Sequence, residues 1–360
     1  MKNLFKNTPL SLKGESLSRE ECCRVCQEKK GIRIGIADYW DIKTCNIVRC
    51  EKCNHIQLDP MLTEEDTNRG CYAYYIEESQ RTSEKEQFKN CIRNFRRGVV
   101  FGWMLKSRRI SPRNILELGP GSGYFAAGLQ FVIPNVQVTV MDINKDVLDF
   151  NKEHHHFETI RSIPDILQTT YQDKFDLVIA RDILEHVTDI TKVFENVYAY
   201  LKPGGLFHFI TPNGYEDVWK HYLTFKLKGV PSELLINHVN YFDGKGLKNL
   251  LIQKGFSPVD YYTHTLKTTF RGQGRKENLK LMSRVSQKMS AALYVERKAD
   301  ELKRIEFRKS EILNKWYIRP NAKWITCLYS LSHHFSVIRI SPVRNIGHEI
   351  YGVFEKNLAN

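Results

Sequence analysis

Four cysteines have the spacing of metal-binding knuckles, and they form two pairs: Cys23-x-x-Cys26 and Cys50-x-x-Cys53. Two intervening residues allow both thiolates of a pair to face one tetrahedral ion, so the pairs predict a four-sulfur Zn²⁺ site with a hairpin between them. Cys22 and His55 are alternatives to Cys23 and Cys53 as ligands. Four protein ligands leave no open position for water, so this zinc is expected to be structural and catalysis must lie elsewhere.

Acid–base chemistry is indicated by a second group, Asp182-x-x-Glu185-His186, which follows the apolar run FDLVIA. Histidine titrates near neutral pH and is a natural general base. Spacings of three and four place these three residues on one side of a helix. The alternative interpretation is that Glu185 and His186 only cap a strand–helix junction. His238 and Asn213 are further candidates, for proton transfer and for orienting a hydroxyl or amide, and His238 could equally be a hydrogen-bonded loop residue.

The segment Asn114 to Phe125, NILELGPGSGYF, indicates a nucleotide-type binding loop. An apolar run that closes on Gly119, Gly121 and Gly123 predicts a buried strand turning sharply into a helix, because glycine tolerates positive φ and close approach of a ligand. Asp142 ends the next apolar run, where a carboxylate commonly binds a ribose diol. The loop also satisfies the dinucleotide pattern G-x-G-x-x-A, so the loop alone leaves NAD open as the cofactor.

These residues must be positioned by alternating strands and helices. Strands are predicted at about 114–118, 137–141, 157–161, 175–180 and 205–211, with helical patterns between them, and a helix is predicted over 84–109. Phe88, Cys91, Ile92, Phe95, Val99 and Trp103 recur at helical spacing within that helix. Strand–helix alternation predicts an α/β fold with a parallel, doubly wound sheet. The histidine run 154–156 is interpreted as a solvated loop.

Five blocks, in order, resemble the class I S-adenosylmethionine (SAM)-dependent methyltransferases. They are LELGPGSG (116–123), VMDIN (140–144), FDLVIARDILEHVTD (175–189), LKPGGLFHFITPN (201–213) and HVNYFDGKGLKNLLIQKGF (238–256). The resemblance covers roughly 84–265 plus a last strand at 347–356, and it implies a Rossmann-like sheet with final strands at 257–263 and 348–354. The cysteine pairs ahead of it resemble the N-terminal zinc ribbon of bacterial methyltransferases, several of which act on sugars or natural-product intermediates.

The resemblance implies a role for particular residues. Glu117 would reach the methionine amino end of SAM, Asp142 would hold the ribose hydroxyls, and the adenine would lie near Ser162 and Ile163. The implied cofactor-binding set is Glu117, Leu118, Gly119, Gly121, Gly123, Asp142, Ile143, Ser162, Ile163 and Asp182. Asp182, Glu185 and His186 resemble the E-x-x-E-H motif of quinone O-methyltransferases, and His238 matches an H-x-x-x-F block that borders the substrate cavity. The catalytic candidates are therefore His186, Glu185 and His238.

The expected organisation is an N-terminal leader and zinc ribbon (1–80), a SAM-binding core (81–265), a basic helical insertion (266–345) and the final core strand (346–360). The chain carries a net charge of +13, and residues 261–360 hold 19 Lys/Arg against 8 Asp/Glu. Such a basic region attracts phosphates, nucleic acid or anionic lipid, although a solvated helix face explains it equally well.

The expected function is SAM-dependent methylation of a small-molecule or carbohydrate intermediate that carries phosphate or another anionic group, an expectation that rests on the N-terminal resemblance and on the basic insertion. An RNA or protein methyltransferase and a non-catalytic SAM-binding scaffold are the alternatives; peripheral membrane contact is compatible with the basic helices. The N-terminus shows no apolar signal segment, and the most apolar C-terminal run, 324–331, is too short to span a bilayer, so a cytoplasmic location is expected. The oligomeric state and the acceptor atom are left open.

Overall fold

Two β-sheets organise the computed structural model, which describes residues 15–18, 21–39, 43–63, 65–66, 84–233, 238–265, 338–340 and 349–358. The strands are β1 (Glu15–Ser18), β2 (Lys30–Tyr39), β3 (Lys43–Cys50), β4 (Ile56–Asp59), β5 (Asn114–Leu118), β6 (Gln137–Asp142), β7 (Glu158–Arg161), β8 (Phe175–Arg181), β9 (Leu201–Pro212), β10 (Ser232–Glu233), β11 (Asn240–Tyr241), β12 (Phe256–Thr265), β13 (Ile338–Ile340) and β14 (Glu349–Lys356). The helices are α1 (Glu84–Ser107), α2 (Tyr124–Val132), α3 (Lys145–His155), α4 (Ile190–Tyr200), α5 (Gly214–Lys228) and α6 (Gly244–Gln253).

The larger sheet has the order β13-β12-β14-β9-β8-β5-β6-β7. Strands β9, β8, β5, β6 and β7 run parallel, whereas β14, β12 and β13 join one edge by antiparallel pairing. The central strands are almost wholly buried, as expected for parallel strands covered by helices on both faces. The predicted strands and the Rossmann-like class are confirmed. Of the predicted helical insertion 266–345, only Ile338–Ile340 falls within the described residues, and this part is a strand, β13, that pairs with β12 rather than a helix.

The strand order reverses between β5 and β8, because β6 and β7 continue to one side of β5 while β8 and β9 continue to the other. At such a switch point the connections leave the sheet in opposite directions and open a crevice at the carboxyl ends of the strands. The glycine loop after β5, the tip of β6 and the turn after β8 all lie at this edge. The topology therefore brings together residues that are far apart in sequence.

The predicted helix 84–109 is observed as α1, and it crosses α2 at very short distance. A Cβ on Gly98 would lie 2.0 Å from the Phe125 carbonyl oxygen, and one on Gly128 would lie 2.0 Å from the Phe95 carbonyl oxygen. The two glycines thus allow backbone-to-backbone contact. Phe95 and Val99 are buried, but Trp103, expected on the same apolar face, is 38% exposed.

The smaller sheet, β1-β2-β3-β4-β11 with β10 beside β2, is not confined to the N-terminal segment. β11 belongs to the chain that follows α5, and it pairs antiparallel with β4. Val218 of α5 and Val239 pack in one buried cluster with residues of β2, β3 and β4. The N-terminal sheet is consequently built into the side of the larger domain.

Candidate functional site

The loop after β5 has the backbone of a ligand cradle. Gly119, Gly121 and Gly123 all have positive φ, between 53° and 71°. A Cβ on Gly119 would lie 2.1 Å from Ile183 Cδ1, and one on Gly123 would lie 1.9 Å from Asn151 Oδ1, so both positions are closed by the protein itself. A Cβ on Gly121 would meet no protein atom within 4 Å. Gly121 therefore faces open space, where a bound molecule could approach the backbone.

Two side chains of α3 hold this loop, and sequence reasoning missed both. Asn151 Nδ2 donates to the Gly121 carbonyl at 2.9 Å, and His155 Nε2 donates to the Ser122 carbonyl at 2.9 Å. Both residues are buried. The expectation that residues 154–156 form a solvated loop is wrong, since His154 and His155 end α3. Asn151 and His155 lie four residues apart on α3, the helix after β6, so their common helical face was the available signal.

Glu117, near the end of β5, is a buried carboxylate with capacity to spare. The residue is 2% exposed, and its Oε2 has no hydrogen-bond partner among the described residues. Burial raises the pKa of Glu117 to about 7, which the charge of Arg181 and the Ala126 amide offset only in part. A buried carboxylate with one oxygen left without a hydrogen bond is costly, so a cationic or hydrogen-bond-donating ligand would stabilise it. Glu117 therefore suits the amino group of an amino acid moiety.

Asp142 lies at the tip of β6, next to the glycine loop. Its Oδ1 accepts the Asn144 amide at 2.8 Å, and its carbonyl accepts the Ser162 amide at 3.2 Å, which brings the segment after β7 alongside. Ser162 Oγ accepts from Gln168, and Ile143 is a large apolar residue that is 47% exposed. An exposed apolar side chain beside a carboxylate fits a nucleoside, whose base would pack against Ile143 and whose hydroxyls would bind Asp142.

Not every predicted cofactor residue presents a side chain to this edge. Leu118 is 1% exposed and packs in the core cluster on the other side of the sheet, with Leu116 and Val178. It can therefore contribute only backbone atoms to a ligand. Ile163 is half-buried and its carbonyl accepts the Ile166 amide in a turn beyond β7.

The turn after β8 differs from the helical arrangement expected for Asp182, Glu185 and His186. Asp182 has a left-handed backbone with φ of 54°, which a helix cannot accommodate, and α4 begins only at Ile190. The His186 amide donates to the Ile183 carbonyl at 3.0 Å, closing a tight turn instead. The prediction of one helical side is thus wrong, and the three residues are related by a turn.

The turn nevertheless gathers acid–base groups. One ligating atom each of Glu185, His186 and His238 lies within 4.8 Å of the others, and the rings of His186 and His238 are 4.9 Å apart between centroids. Glu185 is 2% exposed and its Oε2 accepts from Thr211 Oγ1 at 2.9 Å. Burial, reinforced by the charge of Asp182, raises the pKa of Glu185 to about 8, and His238 opposes that shift. The ionised carboxylate of Glu185 and a positive charge on His238 therefore stabilise each other.

Arginines surround the other side of this edge. The Arg181 guanidinium lies over the Phe125 ring, 4.2 Å from its centroid, and its Nη2 donates to Asn94 Oδ1 at 3.4 Å. Burial and the like charge of Arg97 lower the pKa of Arg181, and Arg93 is affected in the same way. Asp182 keeps solvent-exposed surface, but much of its carboxyl is surrounded by protein. Desolvation of the charged form raises the pKa of Asp182, and the positive charge of Arg181 opposes this shift. The edge thus has a positively charged wall on α1.

Asn213 lies where the sequence suggested, directly after β9. It is 1% exposed and precedes α5, but its side chain makes no capping bond to that helix. The Gly214 amide donates instead to the Phe242 carbonyl at 2.7 Å.

Four sulfur atoms converge in the smaller sheet. The Sγ atoms of Cys23, Cys26, Cys50 and Cys53 lie within 4.8 Å of one another, and Cys23–Cys53 and Cys26–Cys50 are each 3.5 Å apart. A tetrahedral zinc–thiolate site requires sulfurs about 3.8 Å apart, given bonds of about 2.3 Å. Neither Cys22 nor His55 belongs to this group.

The two cysteine pairs have equivalent backbones. Gln27 and Asn54, each directly after the second cysteine, have φ of 61°. The Gln27 amide donates to the Cys23 carbonyl at 2.8 Å, and the Asn54 amide donates to the Cys50 carbonyl at 3.1 Å. Two knuckles of the same shape, facing each other, form the closed donor set that a structural metal requires.

Comparison with known proteins assigns the larger domain. Residues 87–261 match the model of a methyltransferase domain family. The chain is 24% identical over 127 residues to malonyl-[acyl-carrier protein] O-methyltransferase of Bacillus cytotoxicus, covering 35% of this chain and 45% of the relative. It is 27% identical over 113 residues to the ubiquinone biosynthesis O-methyltransferase of Proteus mirabilis, covering 30% and 45%. The aligned stretches thus span less than half of each relative.

Solved structures show the same likeness at lower identity. A SAM-dependent methyltransferase from Methanosarcina mazei aligns with 13% identity and a TM-score of 0.41, covering 71% of this chain and 98% of the other. The family match and the sheet order together define a class I SAM-dependent methyltransferase fold. Residues 87–261 of this chain are a methyltransferase domain of that class.

Proposed function

We propose that this chain transfers the methyl group of SAM to a nucleophile on a small-molecule or carbohydrate intermediate that carries an anionic group. The observation that carries the proposal is the clustering of Glu185, His186 and His238 at the edge of the sheet where the glycine loop and Asp142 also lie. Binding residues and acid–base residues then face one crevice, as an in-line transfer requires.

The donors at the switch point fit SAM. The buried Oε2 of Glu117, which has no hydrogen bond among the described residues, would accept one from the amino group of SAM. Gly121 leaves open space where a side chain would otherwise lie, and Asp142 beside Ile143 suits the ribose and the adenine. SAM, when bound there, supplies an activated methyl group on a sulfonium. Ser162 and Ile163 would border the adenine, and Asp182 would face the crevice beside the methionine end.

The chain's own residues would manage the acceptor proton. His238 or His186 accepts the proton of the acceptor as the methyl group is transferred, and Glu185 stabilises the resulting imidazolium. Thr211 fixes the Glu185 carboxyl through its hydrogen bond. Asn213, buried at the end of β9, would orient the acceptor from the opposite side.

An anionic acceptor is supported by the arginines on α1 and β8. Arg93 and Arg97 lie one helical turn apart, and both influence Asp182 or Arg181 electrostatically. Arginine recognises carboxylates and phosphates in a fixed geometry. One further relative, from Caenorhabditis elegans and 33% identical over 22% of its length, is named for phosphoethanolamine, which carries a phosphate.

We also propose a structural Zn²⁺ held by Cys23, Cys26, Cys50 and Cys53. The convergence of the four sulfurs and the matching shape of the knuckles support it. A cytoplasmic location is part of the proposal. Separately, none of the helices in the described part of the chain combines the length and apolar composition of a membrane span.

The first experiment is calorimetric titration of the zinc-replete chain with S-adenosylhomocysteine, with NAD and an Asp142→Ala variant in parallel. We expect micromolar binding of S-adenosylhomocysteine that falls by about 10-fold or more in the variant, because a charge-assisted hydrogen bond is lost. NAD should give no heat. Binding would justify a screen of anionic acceptors, with RNA and protein acceptors included as the contrary outcome.

Absence of binding to S-adenosylhomocysteine and to SAM would contradict the proposal. Binding without turnover of any acceptor in the screen would favour the non-catalytic scaffold.

A further inference from the structure

Asn240 connects three parts of the molecule that are distant in sequence. It is 2% exposed, and its Nδ2 donates to the Leu184 carbonyl at 3.2 Å and to the Val187 carbonyl at 2.6 Å. Its Oδ1 lies 3.2 Å from His55 Nε2. Since Nδ2 is used by the two carbonyls, Oδ1 is the acceptor and His55 Nε2 carries the proton. One amide thus joins the turn around Glu185 to the N-terminal sheet.

The main chain reinforces the same link. The amides of Val239 and Asn240 both donate to the Glu185 carbonyl, at 2.8 Å and 3.2 Å. Asn240 itself lies in β11, opposite Gln57 of β4. Residues 184–187 are therefore bonded on one side to a strand that belongs to the smaller sheet.

The four-cysteine knuckles lie at the other end of this link. The Cys50 amide donates to the His55 carbonyl at 2.9 Å, so the second knuckle fixes the residue that bonds Asn240. Gln57, fully buried, accepts the Arg24 amide at 3.0 Å and thereby ties the first knuckle to β4. Both knuckles consequently constrain the strand against which β11 pairs.

The turn needs such external support because its own bonding is sparse. Asp182 has a left-handed backbone, which costs a non-glycine residue about 1 kcal/mol. Within residues 183–186, the described main-chain bond is that of His186 to Ile183. Glu185 and His186 are placed by this turn, so whatever holds the turn also sets their positions.

We infer that the smaller sheet, held by its two cysteine knuckles, positions the catalytic turn. Asn240 and His55 are the positioning residues through which the sheet sets the positions of Glu185, His186 and His238. The inference rests on the proposed function for the meaning of "catalytic", but its structural content does not. It gives the N-terminal sheet a role in catalysis without placing any of its residues against the acceptor.

The test compares zinc-replete wild-type chain with Asn240→Ala, Asn240→Asp and His55→Gln variants. Histidine ring resonances of His186 and His238 are followed by NMR, and amide exchange of Val239 is followed by mass spectrometry. We expect both ring signals to shift and Val239 exchange to accelerate about 10- to 100-fold in Asn240→Ala, since buried carbonyls lose their donors. His55→Gln, whose amide can still donate to Asn240 Oδ1, should retain most of the wild-type signals.

Thr191→Val is the matched control. Thr191 Oγ1 donates to the Arg24 carbonyl at 3.0 Å, so this variant also removes one hydrogen bond between the N-terminal segment and the larger domain, away from the turn. Ring signals and Val239 exchange should stay as in wild type. Removal of the metal by a chelator should reproduce the Asn240→Ala signals.

Unchanged ring signals in both Asn240 variants, or in the metal-free chain, would overturn the inference. Affinity for S-adenosylhomocysteine should remain within about twofold in every variant, because the glycine loop is held by Asn151 and His155 of α3, far from Asn240 in the fold. If wild type does not bind S-adenosylhomocysteine, the proposed function is refuted, but the NMR and amide-exchange results on the turn still stand. If Asn240→Ala fails to fold, Asn240→Asp and the metal-free chain still decide the question.

Discussion

At the scale of single residues, the crevice is defined by carboxyls that burial keeps near neutrality. Glu117 and Glu185 have pKa values raised to about 7 and about 8, mainly because their charged forms are desolvated. Such values place both groups where a ligand or a neighbouring imidazole can change their ionisation. The two residues should therefore respond to different events, since Glu117 lies at the glycine loop and Glu185 lies beside the histidines.

The pKa of Glu117 predicts a pH-dependent affinity for S-adenosylhomocysteine. The ammonium group of the ligand binds the ionised carboxylate of Glu117. Below pH 7 this carboxyl is mostly protonated in the apo chain, so it must lose a proton when the ligand binds. The affinity should be about tenfold weaker at pH 6 than at pH 8, and Glu117→Gln should weaken binding about 10- to 100-fold at pH 8 and remove the pH dependence. Calorimetry at pH 6, 7 and 8 measures both effects.

Glu153→Gln serves as the control for this prediction, because Glu153 is an exposed acid on α3. Its affinity profile should match wild type. The same pKa has a consequence for stability: Glu117 titrates at 4.5 when unfolded and at about 7 when folded, so the apo chain should lose stability as the pH rises between these values. A profile of affinity that is flat in wild type would show that Glu117 does not meet the ligand charge.

At the scale of elements, two glycines of the loop after β5 have different roles, one in packing and one in the proposed ligand binding. Gly123 is closed by Asn151 of α3, whereas Gly121 faces open space. Both have left-handed backbones, which cost alanine about 1 kcal/mol. The loop thus contains one glycine needed by the packing of α3 and one that the proposed ligand would need.

We expect Gly123→Ala to lower the free energy of unfolding by about 3 kcal/mol, because strain and overpacking add. Gly121→Ala should lower it by only about 1 kcal/mol but abolish binding of S-adenosylhomocysteine, since the new methyl group would occupy the cradle. Urea unfolding and calorimetry on the two variants measure these effects. Equal stability loss with equal residual binding would contradict this division.

At the scale of the whole molecule, the N-terminal sheet and the methyltransferase domain share a core. Val218 and Val239 of the larger domain pack with Ile34 and Leu58 of the N-terminal strands, and β11 pairs with β4. Elements that share buried apolar surface and strand hydrogen bonds unfold together. The metal site should therefore affect the stability of the entire described structure.

Elemental analysis should find one zinc per chain. Its removal should lower the midpoint of thermal unfolding by about 10 °C or more while the transition stays single, because metal binding is coupled to folding. Cys53→Ser should have the same effect as removal, and Cys22→Ser should retain the zinc, since Cys22 lies outside the group of four sulfurs. Separate transitions for the two sheets would contradict the shared core, and zinc loss in Cys22→Ser would revise the ligand set.

Family resemblance predicted β12 and β14, and β13 was not predicted. The sequence by itself determined the parallel strands of the larger sheet, the positive-φ glycine loop and the two cysteine pairs. Each of these depends on local chemistry: apolar runs between turns, residues without a Cβ, and thiols at knuckle spacing. The spacing of Asp182, Glu185 and His186 predicts a shared helical face for the same local reason, and that prediction is wrong because the left-handed Asp182 begins a turn.

Only the tertiary structure decided how these parts meet. The support of the loop by Asn151 and His155, the position of His238 beside Glu185, and the bridge from His55 through Asn240 join residues 30 to 185 positions apart. Such contacts depend on strand order and on the packing of helices, for which no local pattern codes. The physical reason is that a buried polar group must find a partner wherever the fold supplies one.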